Sequence, residues 1–391
     1  MTAFFKKYVK GDAGIWWIII ILSIASLLSV YSATGYLAYK MQGGNTSYYL
    51  FKQLISLGFG IGIIIFMLNV KSNWVAGLSL IVLYLSMGLL LVTLISGVNL
   101  NSASRWLTIP GIGLTFQPSE MAKLALIVYV ANILARHQKD DQPTKEAFWP
   151  ILIHVGLVAG LIFTENLSTA LLIVAVSVAM MFVGRVPFRY LLTTGVVVVG
   201  FTALVLVFAK HVDFLPRAKT WSSRFEQFFN PQEANPASNY QADQSKIAIA
   251  SGGFLGIGPG NSVQRNFLPH PYSDFIYAII AEEYGFVGAL VILICYLLLL
   301  ARVGYIVGSS KRTFPAFMAF GLGLMLASQA FLNMGVAVGI FPVTGQPLPL
   351  VSLGTTSVLF TCVAFGLILG VSRINMEQKE LENEVIGQVE E

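Results

Sequence analysis

Apolar residues occur in this chain in long blocks, and the length of those blocks limits what it can fold into. Residues 15–28, 78–95 and 191–209 are almost wholly apolar, and most blocks come near the roughly 20 residues a helix needs to cross a hydrocarbon core. No water-soluble core absorbs so much: 56% of the 391 residues are hydrophobic and 11% charged, against roughly 25% charged in an ordinary soluble domain. The solvent of this fold is lipid.

The expected fold class is therefore an all-α polytopic membrane protein of about ten transmembrane helices. The spans are read at 15–37, 50–68, 75–95, 119–134, 148–163, 167–183, 190–209, 275–303, 314–338 and 357–371. Around 164–166 the pattern fits two short helices or one broken element. Lys6, Lys7 and Lys10 before the first block resemble a signal peptide, but no small-residue cleavage site precedes Tyr36, so a retained helix is expected. Residues 1–374 form the transmembrane domain, and 375–391 are an acidic, polar tail. The net charge of +5 is a topology signal and not a nucleic-acid footprint, because the basic residues sit between apolar blocks without interleaved aromatics. With the amino terminus inside, inner segments hold Lys71, Arg136, Lys139, Lys145, Arg185, Arg189, Lys311, Arg312, Arg373 and Lys379. Short outer loops hold only Lys40, Lys52 and Arg105. Both termini are thus expected in the cytoplasm. The long segment 210–273, between helices 7 and 8, then lies outside; 247–254 is too apolar for plain disorder and should pack at the membrane surface. Cys295 and Cys362 are far apart inside apolar runs and read as small core residues. No internal repeat supports an inverted-repeat transporter.

Four polar segments next to the bilayer all fall on the outer side. The first is Arg105-Trp106 with Gln117-Pro118-Ser119-Glu120 and Lys123. Pro118 suits a first helical turn, Gln117 or Ser119 can cap it, and Glu120 and Lys123 share a face. They are either a functional intramembrane pair or a structural salt bridge. In the second, 268–285, Asp274 stands at a helix mouth, with Glu282 and Glu283 a few turns on. There it is either an N-cap or a partly desolvated carboxylate, whose raised pKa suits a general base. The third, 341–354, is so rich in Pro and Gly that it must be non-helical: a rigid outer loop, or irregular backbone lining a cavity. The fourth, Ser251-Gly252-Gly253 through Gly260, is either a phosphate cradle or a set of tight turns.

Taken in order, these segments resemble the family of shape, elongation, division and sporulation (SEDS) proteins, which includes FtsW and RodA. The resemblance covers nearly the whole chain. It rests on Gln117-Pro118-Ser119-Glu120 with Lys123, Tyr240-Gln241 followed by Ser251-Gly252-Gly253, Asp274-Phe275 with Glu282-Glu283, and Pro342-Val343-Thr344-Gly345 with Leu348-Pro349 and Ser352. It implies a peptidoglycan glycosyltransferase that polymerises lipid II outside the cytoplasmic membrane, working with a class B, FtsI-like penicillin-binding protein and other divisome proteins at the septum. It also implies that Asp274 is the catalytic base. Arg105, Gln117, Glu120, Lys123 and Ser352 are the expected substrate-binding set, with Arg105 and Lys123 on pyrophosphate charge and Glu120 positioning Lys123. A divalent cation, Mg or Mn, can share that work, but no carboxylate cluster identifies a metal site. Where the family has Pro-Asp-Leu-Gly-Thr-Ala, this chain has Glu165-Asn166-Leu167-Ser168-Thr169-Ala170, which puts a metal or acid role there in doubt. Gly11-Asp12, Ser29-Val30-Tyr31-Ser32-Ala33 and Ser104-Arg105-Trp106 are more similar to the division branch than to the elongation branch, which stays as the alternative. A lipid II flippase or transporter, or a noncatalytic scaffold for a penicillin-binding protein, remain rivals of another class.

Overall fold

The computed structural model describes residues 10–96, 98–100, 103–108, 115–138, 144–208, 217–230 and 236–390. Lys6, Lys7 and Lys139 lie outside them. The chain runs α1 (Ala13–Ala33), α2 (Gly35–Gln42), α3 (Ser47–Asn69), α4 (Ser72–Ser96), α5 (Pro118–His137), α6 (Phe148–Phe163), α7 (Leu167–Val183) and α8 (Phe188–Phe208). It continues with α9 (Ala218–Phe229), α10 (Pro236–Gly252), α11 (Ile276–Gly308), α12 (Thr313–Ala337) and α13 (Thr355–Glu390). Eight of these helices are long and apolar enough to cross a membrane, and α6 and α7 are the shorter apolar pair that completes the ten expected spans. Consecutive spans alternate in direction, so α2, α9, α10 and the segment before α13 share one end of the bundle, here the loop side. The core is unequal: 78% of the apolar window of α5 is buried and 67% of those of α12 and α13, against 17% for α8, which therefore stands at the edge.

Three departures from the expected layout have local causes. The first span ends at Ala33 and not at 37, because Thr34 leaves helical geometry and its hydroxyl bonds back to Val30 O at 2.7 Å, turning the chain into α2. Between α4 and α5, β1 (Val98–Leu100), β2 (Ala103–Thr108) and β3 (Thr115–Phe116) form a small antiparallel sheet in that order. Strands this short carry too little pattern to be read from sequence. The segment 210–273 contains two helices, and α10 packs along α11. Within the 247–254 stretch Ala248 is buried, whereas Phe254 is 69% exposed and stacks on Phe286.

α6 and α7 contain 16 and 17 residues, so at 1.5 Å per residue they reach only roughly 24 and 26 Å, short of a ~30 Å core. Their junction at 164–166 lies on the loop side. It is a true break: the Asn166 side chain caps α7, accepting from Thr169 N at 3.2 Å.

α11 is kinked at Gly285, where φ is 65° and ψ −164°. The kink leaves helix groups to be satisfied from outside. Ile257 N and Gly258 N donate to the carbonyls of Glu282 and Glu283, while Phe286 N and Val287 N donate to Gly253 and Phe254. Backbones this close leave no room for a side chain: a Cβ on Gly285 would lie 2.5 Å from Phe254 C, and one on Gly256, also at positive φ, would meet Glu283 O. The glycine run is thus a splice that mends a broken helix, not a phosphate cradle. Glu282 tightens it by accepting from Ser262 Oγ and from Val263 N and Gln264 N at 3.1 and 3.3 Å.

At the opposite end, Asp12 caps α1 through Ile15 N at 3.0 Å and is gripped by Arg302 of α11. α13 runs on past the bundle, where Glu382 pairs with Lys311.

Candidate active site

Pro118 occupies the first turn of α5, as its fixed φ favours. Gln117 stands at the cap position without a side-chain cap bond. Lys123 is 1% exposed, and its ammonium is 2.9 Å from Glu120 and donates to Gln329 Oε1 on α12 at 3.0 Å. Gln329 in turn donates to Pro347 O at 3.0 Å. This buried relay fastens α5 to α12 and α12 to the irregular segment 341–354.

That segment is non-helical, as its prolines and glycines require. Its polar side chains turn inward and stitch it to the start of α11. Ser352 Oγ accepts from Leu348 N at 2.8 Å and donates to Ser273 O at 2.6 Å, and Leu353 N donates to Tyr272 O at 2.9 Å. Asn333 of α12 donates to both Asp274 O, at 2.9 Å, and Gln346 O, at 2.7 Å. Gln346 reaches Thr169 in the first turn of α7. Asn333 of α12 and Ser352 and Leu353 of the irregular segment thus hold the consecutive carbonyls of Asp274, Ser273 and Tyr272 and fix the backbone there.

The Asp274 carboxylate takes no part in capping. The cap position of α11 belongs to Phe275, with no side-chain cap bond, so the N-cap reading of Asp274 does not hold. Its Oδ1 accepts from Ser273 Oγ at 2.7 Å, and its Oδ2 faces Gly345, 3.6 Å from where a Cβ would stand. It is half-buried on the loop side.

A cavity of about 470 Å3, within the size range of small-molecule sites, reaches Thr344, the neighbour of the Gly345 that Asp274 faces, although Asp274 is not itself in its lining. One wall is the i, i+4 face of α7, Leu171, Leu172, Ala175, Val176 and Ala179; Leu324, Ser328 and Leu332 of α12 form the other. The mouth carries Glu165, Arg217, Arg224 and the turn Pro342-Val343-Thr344. Arg217 donates to Glu165 O at 2.8 Å and Arg224 to Val343 O at 3.0 Å. Burial and the neighbouring Arg217 lower the Arg224 pKa from its ordinary value, while the charge of Asp274 opposes that fall. Burial also lowers that of Arg217, with Glu165 opposing. Two arginines thus converge, partly desolvated, on an apolar-walled cavity beside a carboxylate.

Of the residues singled out from sequence, Asp274 and Ser352 meet at the α11 junction, and Glu120 and Lys123 meet each other in the interior. The lysine does not line the cavity, and its ammonium is engaged by Glu120 and Gln329. Arg105 lies on β2, and its side chain is outside the described part. Arg217 and Arg224 escaped sequence reading because they sit in what looked like a featureless polar loop. The one available signal was the amphipathic spacing of Trp221, Phe225 and Phe228 around them. Among the described residues no three His, Cys, Asp or Glu side chains converge. The cavity lining offers one carboxylate, Glu165, beside two guanidinium groups, a donor set that does not fit a resident divalent cation.

Comparison with known proteins points one way. The family model for cell cycle proteins of the FtsW, RodA and SpoVE type matches residues 13–377. The chain is 32% identical to the probable peptidoglycan glycosyltransferase FtsW of Trichlorobacter lovleyi over 362 residues, covering 90% of this chain and 91% of the relative. It is 31% identical to that of Pseudomonas fluorescens, with coverages of 91% and 87%. Among solved structures it superposes on a chain of a peptidoglycan synthase complex that coordinates polymerization and crosslinking, with TM-score 0.75, 26% identity and coverages of 93% and 98%. It also superposes on the rod shape determining protein RodA of Thermus thermophilus, with TM-score 0.67, 26% identity and coverages of 94% and 99%.

Proposed function

The chain belongs to the FtsW, RodA and SpoVE family of cell cycle proteins, and on that footing we propose that it is a peptidoglycan glycosyltransferase that polymerises lipid II for septal wall synthesis. The observation that carries the reading is the uncapped Asp274 carboxylate, whose charge acts on Arg224 at the mouth of an apolar-walled cavity. Each part of the substrate has a counterpart there. The polyprenyl chain suits the apolar faces of α7 and α12. The pyrophosphate suits Arg217 and Arg224, whose planar, permanently charged groups pair with phosphate oxygens.

The step follows from those placements. The acceptor sugar's 4-hydroxyl oxygen attacks the donor's anomeric carbon, forming the new glycosidic C–O bond. The bond from that carbon to the pyrophosphate oxygen breaks, and undecaprenyl pyrophosphate leaves with the electron pair. Asp274 accepts the hydroxyl proton, and the arginines offset the charge that grows on the leaving group where little water competes. Lys123 and Glu120 act at one remove, through Gln329 and Pro347. The donor set fits no resident cation, so no step is routed through one.

The basic residues at the termini end favour a cytoplasmic placement for both termini, with the cavity mouth on the outer face, where lipid II and a class B penicillin-binding protein meet it. The test is polymerisation of purified lipid II by the reconstituted protein and its penicillin-binding partner. Asp274→Asn should lower the rate by about 10²–10⁴-fold while partner binding persists. Undiminished glycan chains from that variant would remove Asp274 as the base and revive the flippase and scaffold readings.

A further inference from the structure

A second cavity opens on the far side of the wall that closes the first. It measures about 120 Å3 and is lined by Gln227 and Phe228 of α9 and by Asp243 and Lys246 of α10. Arg224, Phe341, Pro342 and Val343 line both cavities, and the bond from Arg224 to Val343 O lies in the partition. The two spaces are neighbours across the residue on which the charge of Asp274 acts.

Their chemistry differs. The first has long apolar walls, whereas the second sets a carboxylate, an amide and an ammonium group around two phenylalanines that are 36% and 42% exposed, Phe228 and Phe341. Asp243 and Lys246 share a face of α10 at 3.9 Å and are each more than half exposed, too loose a pair to exhaust either group. Gln227 spends its amide nitrogen on Ser223 Oγ, at 2.6 Å, and keeps a carbonyl acceptor. Vicinal hydroxyls are recognised by such mixed donors and acceptors, and an aromatic ring covers the apolar C–H face of a pyranose. A polyprenyl chain would find little wall here, and a pyrophosphate would meet Asp243.

We infer that this second cavity is a carbohydrate subsite that holds a sugar ring of the glycan while the pyrophosphate lies against Arg217 and Arg224 in the first. The identity of the sugar rests on the polymerase reading. A transferase that joins two sugars must seat both, and two chemically distinct cavities sharing one arginine offer separate places for the leaving pyrophosphate and for a sugar of the glycan.

The probe is a lipid-free GlcNAc–MurNAc tetrasaccharide, titrated into the purified protein with its penicillin-binding partner and followed by saturation-transfer NMR. Wild type and Asp274→Asn should bind it equally, and Gln227→Ala and Phe228→Ala should bind about tenfold more weakly, a loss of about 1.4 kcal/mol. Both substituted side chains are solvent-accessible, and an unchanged melting temperature confirms folding. In the parallel polymerisation assay the two cavity variants should yield shorter glycan chains. No binding by wild type, or equal binding by wild type and cavity variants, overturns the inference. Should wild type polymerise while those variants bind like wild type, the subsite alone fails. Should wild type bind the sugar through this cavity yet form no polymer, the polymerase reading fails and the subsite stands.

Discussion

Lys123 illustrates how far a buried charge depends on its partners. It lies 1% exposed between Glu120 and Gln329, and removing one member of such a pair leaves the other charge desolvated and uncompensated. Lys123→Met should therefore cost about 3–5 kcal/mol of stability, read as a lower melting temperature in detergent. The double variant Lys123→Met, Glu120→Gln should recover much of that loss, because no orphan charge remains. A single variant as stable as wild type would mean that Glu120 finds another partner, and the buried relay to Pro347 would lose its assigned role.

At the scale of elements, α9 brings both arginines to the cavity mouth, and their chemistry is not interchangeable with lysine. Arg224 donates to Val343 O and has further N–H groups left for an anion, whereas an ammonium is a compact point charge without the planar fork. Arg224→Ala should lower kcat/KM for lipid II by about 10²-fold or more, as loss of an oriented donor does elsewhere, and Arg224→Lys should recover only part of it. Full recovery by lysine would show that charge alone suffices. The splice at the α11 kink offers a second test. Gly256→Ala would place a Cβ against Glu283 O at positive φ, a strain of about 1–3 kcal/mol, and should lower the melting temperature without altering the cavity residues. The two elements also differ in how legible they were. The Pro and Gly of 341–354 announce irregular backbone in the sequence. The arginines of α9 acquire meaning only when folding sets them opposite Glu165 and Val343, which are 52 and 119 residues away in sequence.

For the molecule as a whole, hydrophobic block length was enough to locate ten apolar helices, eight of them long enough to cross a membrane, since the bilayer sets a minimum length for a span. At a helix mouth Asp274 read no less as a cap, and only the family resemblance singled it out as a base. The cavity was not legible, because its walls come from α7 and α12, and no sequence pattern states which helix faces meet. Nor was the burial of Lys123 between Glu120 and Gln329, which only the packing of α5 on α12 decides.

Orientation is the remaining whole-molecule property on which the proposed chemistry depends, and it can be tested directly. Cys295 and Cys362 are both buried, so a membrane-impermeant maleimide added to intact cells should report only introduced cysteines. Lys40 on the loop side and Lys379 on the extension of α13 are exposed and lie at opposite ends of the bundle. Lys40→Cys should react in intact cells, and Lys379→Cys only after permeabilisation, because the basic residues cluster at the termini end and short cytoplasmic segments retain them. The reverse pattern would turn the mouth of the arginine-lined cavity toward the cytoplasm. It could not then build wall outside the membrane, and a flippase that loads lipid II from inside would account better for the same cavity.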